Sequence, residues 1–158
     1  MKIILNRQKA VRVSIGNLEL FLERVARKLR FGPHAITVCL VTNARMARWN
    51  HAFRGKRGAT DVLSFPFGDA HEPGRAVARG RDRRQEEIGF SSTSYLGDIA
   101  IAPAVARRNA RRYSRTLDDE LRVLILHGAL HLLGYDHETD QGQMDRLEQS
   151  LRRSLELA

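Results

Sequence analysis

Three histidines, His127, His131 and His137, fall within one short run, H-G-A-L-H-L-L-G-Y-D-H. The first two are four residues apart, so on a helix they project from one face a turn apart and can grip a single ion. Gly134 lets the backbone leave the helix through a left-handed conformation, and the chain can then turn back to bring His137 toward the same point. Imidazole suits Zn2+, Ni2+ and Cu2+ better than Mg2+ or Ca2+. Three protein ligands leave a fourth tetrahedral position for water, the pattern of catalytic rather than structural zinc. Water held there ionises near neutral pH. An isolated histidine pair at this spacing is more often an ordinary core or surface feature. Here the run from Val123 to Leu133 (V-L-I-L-H-G-A-L-H-L-L) is apolar on nearly every side and offers an imidazole few partners. The glycine and the third histidine that follow complete the set, and the expectation is one metal ion per chain on His127, His131 and His137.

The spacing equals that of the metzincin metalloproteases, whose general-base glutamate would stand at position 128. This chain has Gly128 there. Without that carboxylate, peptide hydrolysis by the metzincin route lacks its proton shuttle. A different substrate is expected.

The elements that must hold these residues follow from periodicity. Met1 to Asn6 reads as a short edge strand. Leu18, Leu20, Phe21, Val25 and Leu29 repeat at helical spacing, with Asn17 placed to cap them. Ala35 to Asn43 is rich in β-branched residues and predicts a buried strand closed by the turn-prone pair Thr42 and Asn43. Ala44 to Phe53 predicts a helix. Asp61 to Phe67 predicts a strand whose Pro66 places that end at an edge or out of the sheet. From Gly68 to Ser94 periodicity is lost amid Gly, Pro and the charge run Arg75 to Glu87, which predicts a long mobile loop over 68–94.

Tyr95 to Ala102 alternates as a third internal strand, and Pro103 opens a helix carrying Arg107, Arg108, Arg111 and Arg112. The histidine helix follows. Thr116 is its N-cap, Asp118, Asp119 and Glu120 complement the dipole of its first turn, and Gly134 marks its end. A last amphipathic helix, about Gln141 to Glu156, turns Met144, Leu147, Leu151 and Leu155 inward. The fold class expected is α+β: a small mixed sheet packed with about five helices, forming one domain over residues 1–158, with the metal site on a central buried helix and the turn after it.

With 158 residues and 42% apolar content, the chain can bury a core. Its single cysteine, Cys39, lies in an apolar run and reads as a buried thiol, so no disulfide framework exists within the chain. No segment reaches the roughly 18 apolar residues needed to span a bilayer, and Met1 to Leu5 is too short for a signal peptide. A reducing, cytoplasmic setting is expected, with no membrane partner. The net charge of +9 suits a polyanion, because neutralising phosphates releases condensed counterions. The same charge also suits an ordinary solvated, Arg-rich surface. Arg107, Arg108, Arg111 and Arg112, with Arg75, Arg79, Arg81, Arg83 and Arg84, are candidates for a phosphate-tracking surface.

Three ordered blocks then carry a resemblance. The run from His127 to His137 resembles the signature of the YbeY family of bacterial endoribonucleases, which mature and quality-check ribosomal RNA. F-R-G-K-R-G-A-T-D-V-L-S-F-P-F, from Phe53 to Phe67, is similar to that family's other hallmark, and L-G-D-I-A-I, from Leu96 to Ile101, to a third. With the order of strands and helices around them, the match covers nearly the whole chain. The resemblance implies a single Zn2+ on the three histidines, cleavage of single-stranded RNA, and association with ribosomal RNA, the small ribosomal subunit and its assembly factors; DNA is not expected. Arg54 matches the family's functional arginine, and a guanidinium can hold two phosphate oxygens in a fork while a phosphodiester is attacked. The chain departs from the family in two places. The 68–94 segment is longer and more Arg-rich than usual, and Phe53 stands where tyrosine is more common, which removes a hydroxyl.

The reading is therefore a zinc-dependent, single-strand-specific endoribonuclease of ribosomal RNA maturation and ribosome quality control, with Arg54 catalytic. Two others compete: a metallohydrolase of a non-RNA substrate, and a ribosome-assembly or RNA-binding factor whose metal is structural. Asp136 is expected to bond amides in its turn, Tyr135 to pack, and Asp98 either to serve a turn or to approach the metal.

Overall fold

The computed structural model describes residues 3–32, 34–67, 95–136 and 138–157. The loop expected over 68–94, with its five arginines, and the third histidine, His137, lie outside the described residues. Along the chain run β1 (Ile4–Asn6), α1 (Ile15–Leu29), β2 (Ile36–Leu40), α2 (Asn43–Arg54), β3 (Val62–Pro66) and β4 (Gly97–Ile101). Then come α3 (Pro103–Arg112), α4 (Leu117–Leu132) and α5 (Gln143–Ser154). This is an α+β fold around a mixed sheet of order β1-β2-β4-β3, in which β1, β2 and β4 are parallel and β3 is antiparallel to β4. The proline-bearing strand β3 lies at the sheet edge, where the missing N–H of Pro66 costs no central ladder bond.

Alternation along the strands gives the sheet two different faces. Ile36, Val38 and Leu40 of β2 and Ile99 and Ile101 of β4 enter the main core with Leu18, Leu22 and Val25 of α1 and Leu121, Ile125, Ala129 and Leu132 of α4. The intervening Cys39, Ala100, Leu63 and Phe65 face the other way, into a smaller cluster closed by Met46 and Trp49 of α2. Helix α2 thus covers one face and α4 the other. Helix α5 packs on the outer side of α4, placing Met144, Leu151 and Leu155 in the main core, with Leu147 packed against it.

Several local expectations need correction. Asn17 does not cap α1. The helix begins at Ile15 behind Ser14, because Val13 and Ile15 pack against the main core and draw the first turn in ahead of Asn17. Leu20 is 62% exposed and Leu22 takes the inward position, since Leu22 lies four residues from Leu18 and Leu20 only two. Thr42 does more than close a strand: its hydroxyl accepts from the Arg45 N–H at 3.2 Å and caps α2. Cys39, expected to be buried, is half-buried, whereas Pro103 stands at the first turn of α3 and Thr116 accepts from the Asp119 N–H at 3.1 Å to cap α4, as expected. Among the described residues, no helix is long and apolar enough to cross a membrane.

Candidate metal centre

Helix α4 carries the histidines, and its seating on the sheet is unusually close. A Cβ built on Gly128 would meet the Cδ1 and Cγ2 atoms of Ile99 at 2.9 Å. The Ser64 hydroxyl donates to the Gly128 carbonyl at 3.2 Å, tying the helix to edge strand β3. These contacts give the physical reason for glycine at position 128: no side chain fits between α4 and β4. A metzincin glutamate is excluded there on volume as well as by sequence.

His127 and His131 are half-buried, and their Nε2 atoms lie 3.0 Å apart with the rings at 79° to one another. Two nitrogens on one tetrahedral zinc, at bonds of about 2.0–2.1 Å, lie about 3.3–3.4 Å apart. The observed separation is within a few tenths of an ångström of that value. Both atoms are the unhindered ring nitrogens, and they converge as donors to a common cation do, so the pair fits a metal. Among the described residues no third His, Cys, Asp or Glu joins them in a ligand group; His137 is the remaining member of the expected set. The Nδ1 atom of His127 lies 3.3 Å from the Oε1 of Glu148 on α5, which also meets Arg152 Nη2 at 3.5 Å. Burial acts to raise the Glu148 carboxyl, but its bond and charge interaction with His127 and the nearby Arg152 outweigh it and hold the group below the usual glutamate value.

Helix α4 ends in a Schellman arrangement. The Gly134 N–H reaches the His131 carbonyl at 3.0 Å and the Tyr135 N–H reaches Leu130 at 3.1 Å, with Gly134 at φ +99°. Tyr135 packs against the main core, as expected. The Asp136 carboxylate accepts from the Glu138 N–H at 3.0 Å, which is turn chemistry. Asp140 then accepts from the N–H groups of Gly142 and Met144 at 2.8 and 2.9 Å, anchoring the start of α5. Turn hydrogen bonds thus hold the described residues on either side of position 137.

Arg54 is the last residue of α2 and is exposed. Its neighbour Phe53 packs edge-on against Phe65 at 4.9 Å between ring centroids, and Ser64, adjacent to Phe65, bonds Gly128 beside His127. Strand β3 thus links the end of α2 to the histidine helix through contacts on its two faces. The turn after Arg54 is shaped by buried Asn50, whose amide donates to the Gly58 carbonyl at 2.9 Å. Asp61 accepts from the Val62 N–H at 2.8 Å and from Asn109 on α3 at 3.2 Å. Asp98 fits neither of its two readings: it serves no turn but lies within β4. It pairs laterally with Phe65 and Thr37 on the face opposite α4, and the Tyr95 hydroxyl bonds its carboxylate. Burial and that carboxylate raise the Tyr95 phenol above its ordinary value. Arg107, Arg108, Arg111 and Arg112 are all exposed, on the side of α3 away from buried Val105, Ala106 and Ala110.

The family model for Endoribonuclease YbeY matches residues 3–156. The chain belongs to the YbeY endoribonuclease family. A protein of Koribacter versatilis named Endoribonuclease YbeY is 39% identical over 154 residues, spanning 98% of this chain and 86% of that one. Another of that name, from Solibacter usitatus, is 38% identical over 140 residues, spanning 89% and 78%. The solution structure of TM1509 from Thermotoga maritima superposes with a TM-score of 0.58 at 27% identity, covering 98% of this chain and 89% of that one. As a YbeY family member the chain is an endoribonuclease, an enzyme that cleaves RNA phosphodiester bonds.

The three YbeY-like blocks meet in space. The V-L-S-F-P segment forms β3, G-D-I-A-I forms β4, the two strands pair, and the H-G-A-L-H segment of α4 lies on both. Sequence reasoning missed Glu148. Its signal was present, since it lies four residues after Met144 and three before Leu151, on the apolar stripe of the last helix, where a lone carboxylate needs a partner.

Proposed function

We propose that this YbeY family member is a zinc-dependent, single-strand-specific endoribonuclease acting in ribosomal RNA maturation and ribosome quality control in the cytoplasm. The observation that carries the reading is the 3.0 Å convergence of the His127 and His131 Nε2 atoms, on the helix whose sequence places the chain in an endoribonuclease family. In this reading His127, His131 and His137 hold one zinc ion. When bound, zinc polarises a phosphate oxygen or lowers the pKa of water. Arg54 binds the scissile phosphate, its planar fork matching two equatorial oxygens and offsetting charge as the bond is attacked. The close fit of Gly128 on Ile99 seats α4 firmly on the sheet beneath the site, and the residues beside the histidines, Leu126, Gly128, Leu130 and Leu132, are buried. The exposed arginines of α3 supply positive charge to a polyanionic substrate, with ribosomal RNA on the small subunit as the natural one.

The test is cleavage of single-stranded RNA by the purified chain, beside His131→Ala and Arg54→Ala variants and a chelator control. Cleavage should fall in both variants and return to the chelated parent on adding Zn2+. Undiminished cleavage by His131→Ala would assign the activity to another site or a contaminant.

A further inference from the structure

Glu148 is a buried charged group that the chemistry above does not use. It is 7% exposed on α5, on the stripe of Met144, Leu151 and Leu155 that enters the core. A carboxylate in that place is costly unless paired. Arg152, one turn along the same helix, gives it a counter-charge at 3.5 Å, an arrangement α5 supplies by itself. Arg152 does not account for the second partner. His127 comes from a different helix, and it presents Nδ1 to the carboxylate at 3.3 Å while turning Nε2 toward His131.

The chemistry of imidazole makes those two contacts one statement. A neutral ring whose Nδ1 faces a carboxylate carries its proton there, which leaves a lone pair on Nε2. Rotating the ring by a half-turn would exchange Nδ1 for a carbon at Glu148 and Nε2 for a carbon at the point shared with His131. The carboxylate therefore selects both tautomer and orientation. We infer that Glu148 is a positioning residue: it holds His127 as the Nδ1–H tautomer with Nε2 aimed at the common point, and its negative charge strengthens that nitrogen as a donor to a divalent cation. It acts only through His127 and touches no substrate. The inference rests on the metal reading under Proposed function.

The experiment compares the parent chain with Glu148→Gln, Glu148→Ala and His131→Ala. Each is checked for folding by circular dichroism and thermal melting, then titrated with Zn2+ against a chromophoric chelator. Ring 1H–15N correlation spectra of the zinc-free parent report the His127 tautomer. Glu148→Ala should weaken zinc about 10- to 100-fold, as loss of a partner that orients a ligand does. Glu148→Gln, which keeps an acceptor but not the charge, should fall between it and the parent. The parent spectrum should show the proton on Nδ1. Folded Glu148 variants that bind zinc within twofold of the parent, while His131→Ala loses it, would overturn the inference and leave the metal site standing. Parent-like zinc binding by His131→Ala would remove the metal site and the inference together. If Glu148→Ala does not fold, the glutamine variant and the parent spectrum decide, and a proton on Nε2 of His127 would refute it.

Discussion

Substituting Gly128 by alanine probes the contact on which the seating of the histidine helix depends. The added Cβ would lie 2.9 Å from Cδ1 and Cγ2 of Ile99 and 3.1 Å from its Cγ1, against about 3.5–4.0 Å for an ordinary carbon contact. Ile99 is fully buried and β-branched, so clearing Cγ2 requires a change of its χ1 rotamer inside a packed core. Overpacking of this kind costs about 1–3 kcal/mol. Alanine's better helix propensity returns up to about 1 kcal/mol. A net loss of about 1–2 kcal/mol follows, which for a chain of this size lowers Tm by about 2–8 °C. Truncating Ile99 to alanine deletes all three clashing carbons and by itself costs about 2–5 kcal/mol. In that background, however, Gly128→Ala should become neutral or stabilising. The assay is urea and thermal unfolding of the two single variants and the double variant, and the expected coupling is about 2 kcal/mol in favour of the pair. The reasoning fails if Gly128→Ala alone raises Tm, or if the two substitutions add within about 0.5 kcal/mol.

Gly97→Ala should be more damaging than Gly128→Ala. Gly97 has φ +147°, and a Cβ there would stand 2.3 Å from the Phe65 backbone oxygen, which cannot swing aside; a loss of at least about 3 kcal/mol in urea unfolding is expected. Thr116→Ala removes the hydroxyl that caps α4 and should cost about 1 kcal/mol by the same assay, with Thr116→Ser close to the parent. The Cys39 thiol is pushed above its ordinary value by burial, which prevails over Arg7 and Arg45, so its iodoacetamide labelling rate should have its midpoint above that of a free thiol. Because its folded pKa is raised, the stability linked to Cys39 is complete below the unfolded value and declines as pH rises through the folded one, and Cys39→Ala should flatten that alkaline decline. Arg54→Lys keeps the charge but loses the fork. Its RNA cleavage should lie nearer to Arg54→Ala than to the parent, with unchanged melting.

Much of this protein follows from local chemistry. The Thr116 cap, the Pro103 start of α3, the four strands, the edge position of the proline-bearing β3 and the Schellman ending around Gly134 are short-range matters of hydrogen bonding and backbone sterics, and each is legible in a few consecutive residues. The i, i+4 pairing of His127 and His131 is local too, because a helix fixes which side chains share a face. Where the local reading failed, packing from elsewhere in the chain had intervened. Val13 and Ile15 reach the core and start α1 ahead of Asn17, and the stripe buried against the sheet runs through Leu22 rather than Leu20.

The sequence by itself therefore determined the helix that bears the histidines, their common face and the lack of a carboxylate between them. Tertiary structure decided which groups from other elements meet that face. Ile99 of β4 leaves position 128 no room for a side chain, Ser64 of β3 binds the same helix at its carbonyl, and Glu148 of α5 reaches the far nitrogen of His127. Those partners lie from 21 to 64 residues away along the chain. No pattern of neighbouring residues encodes such distances, because they arise only when the apolar faces of several elements are buried together.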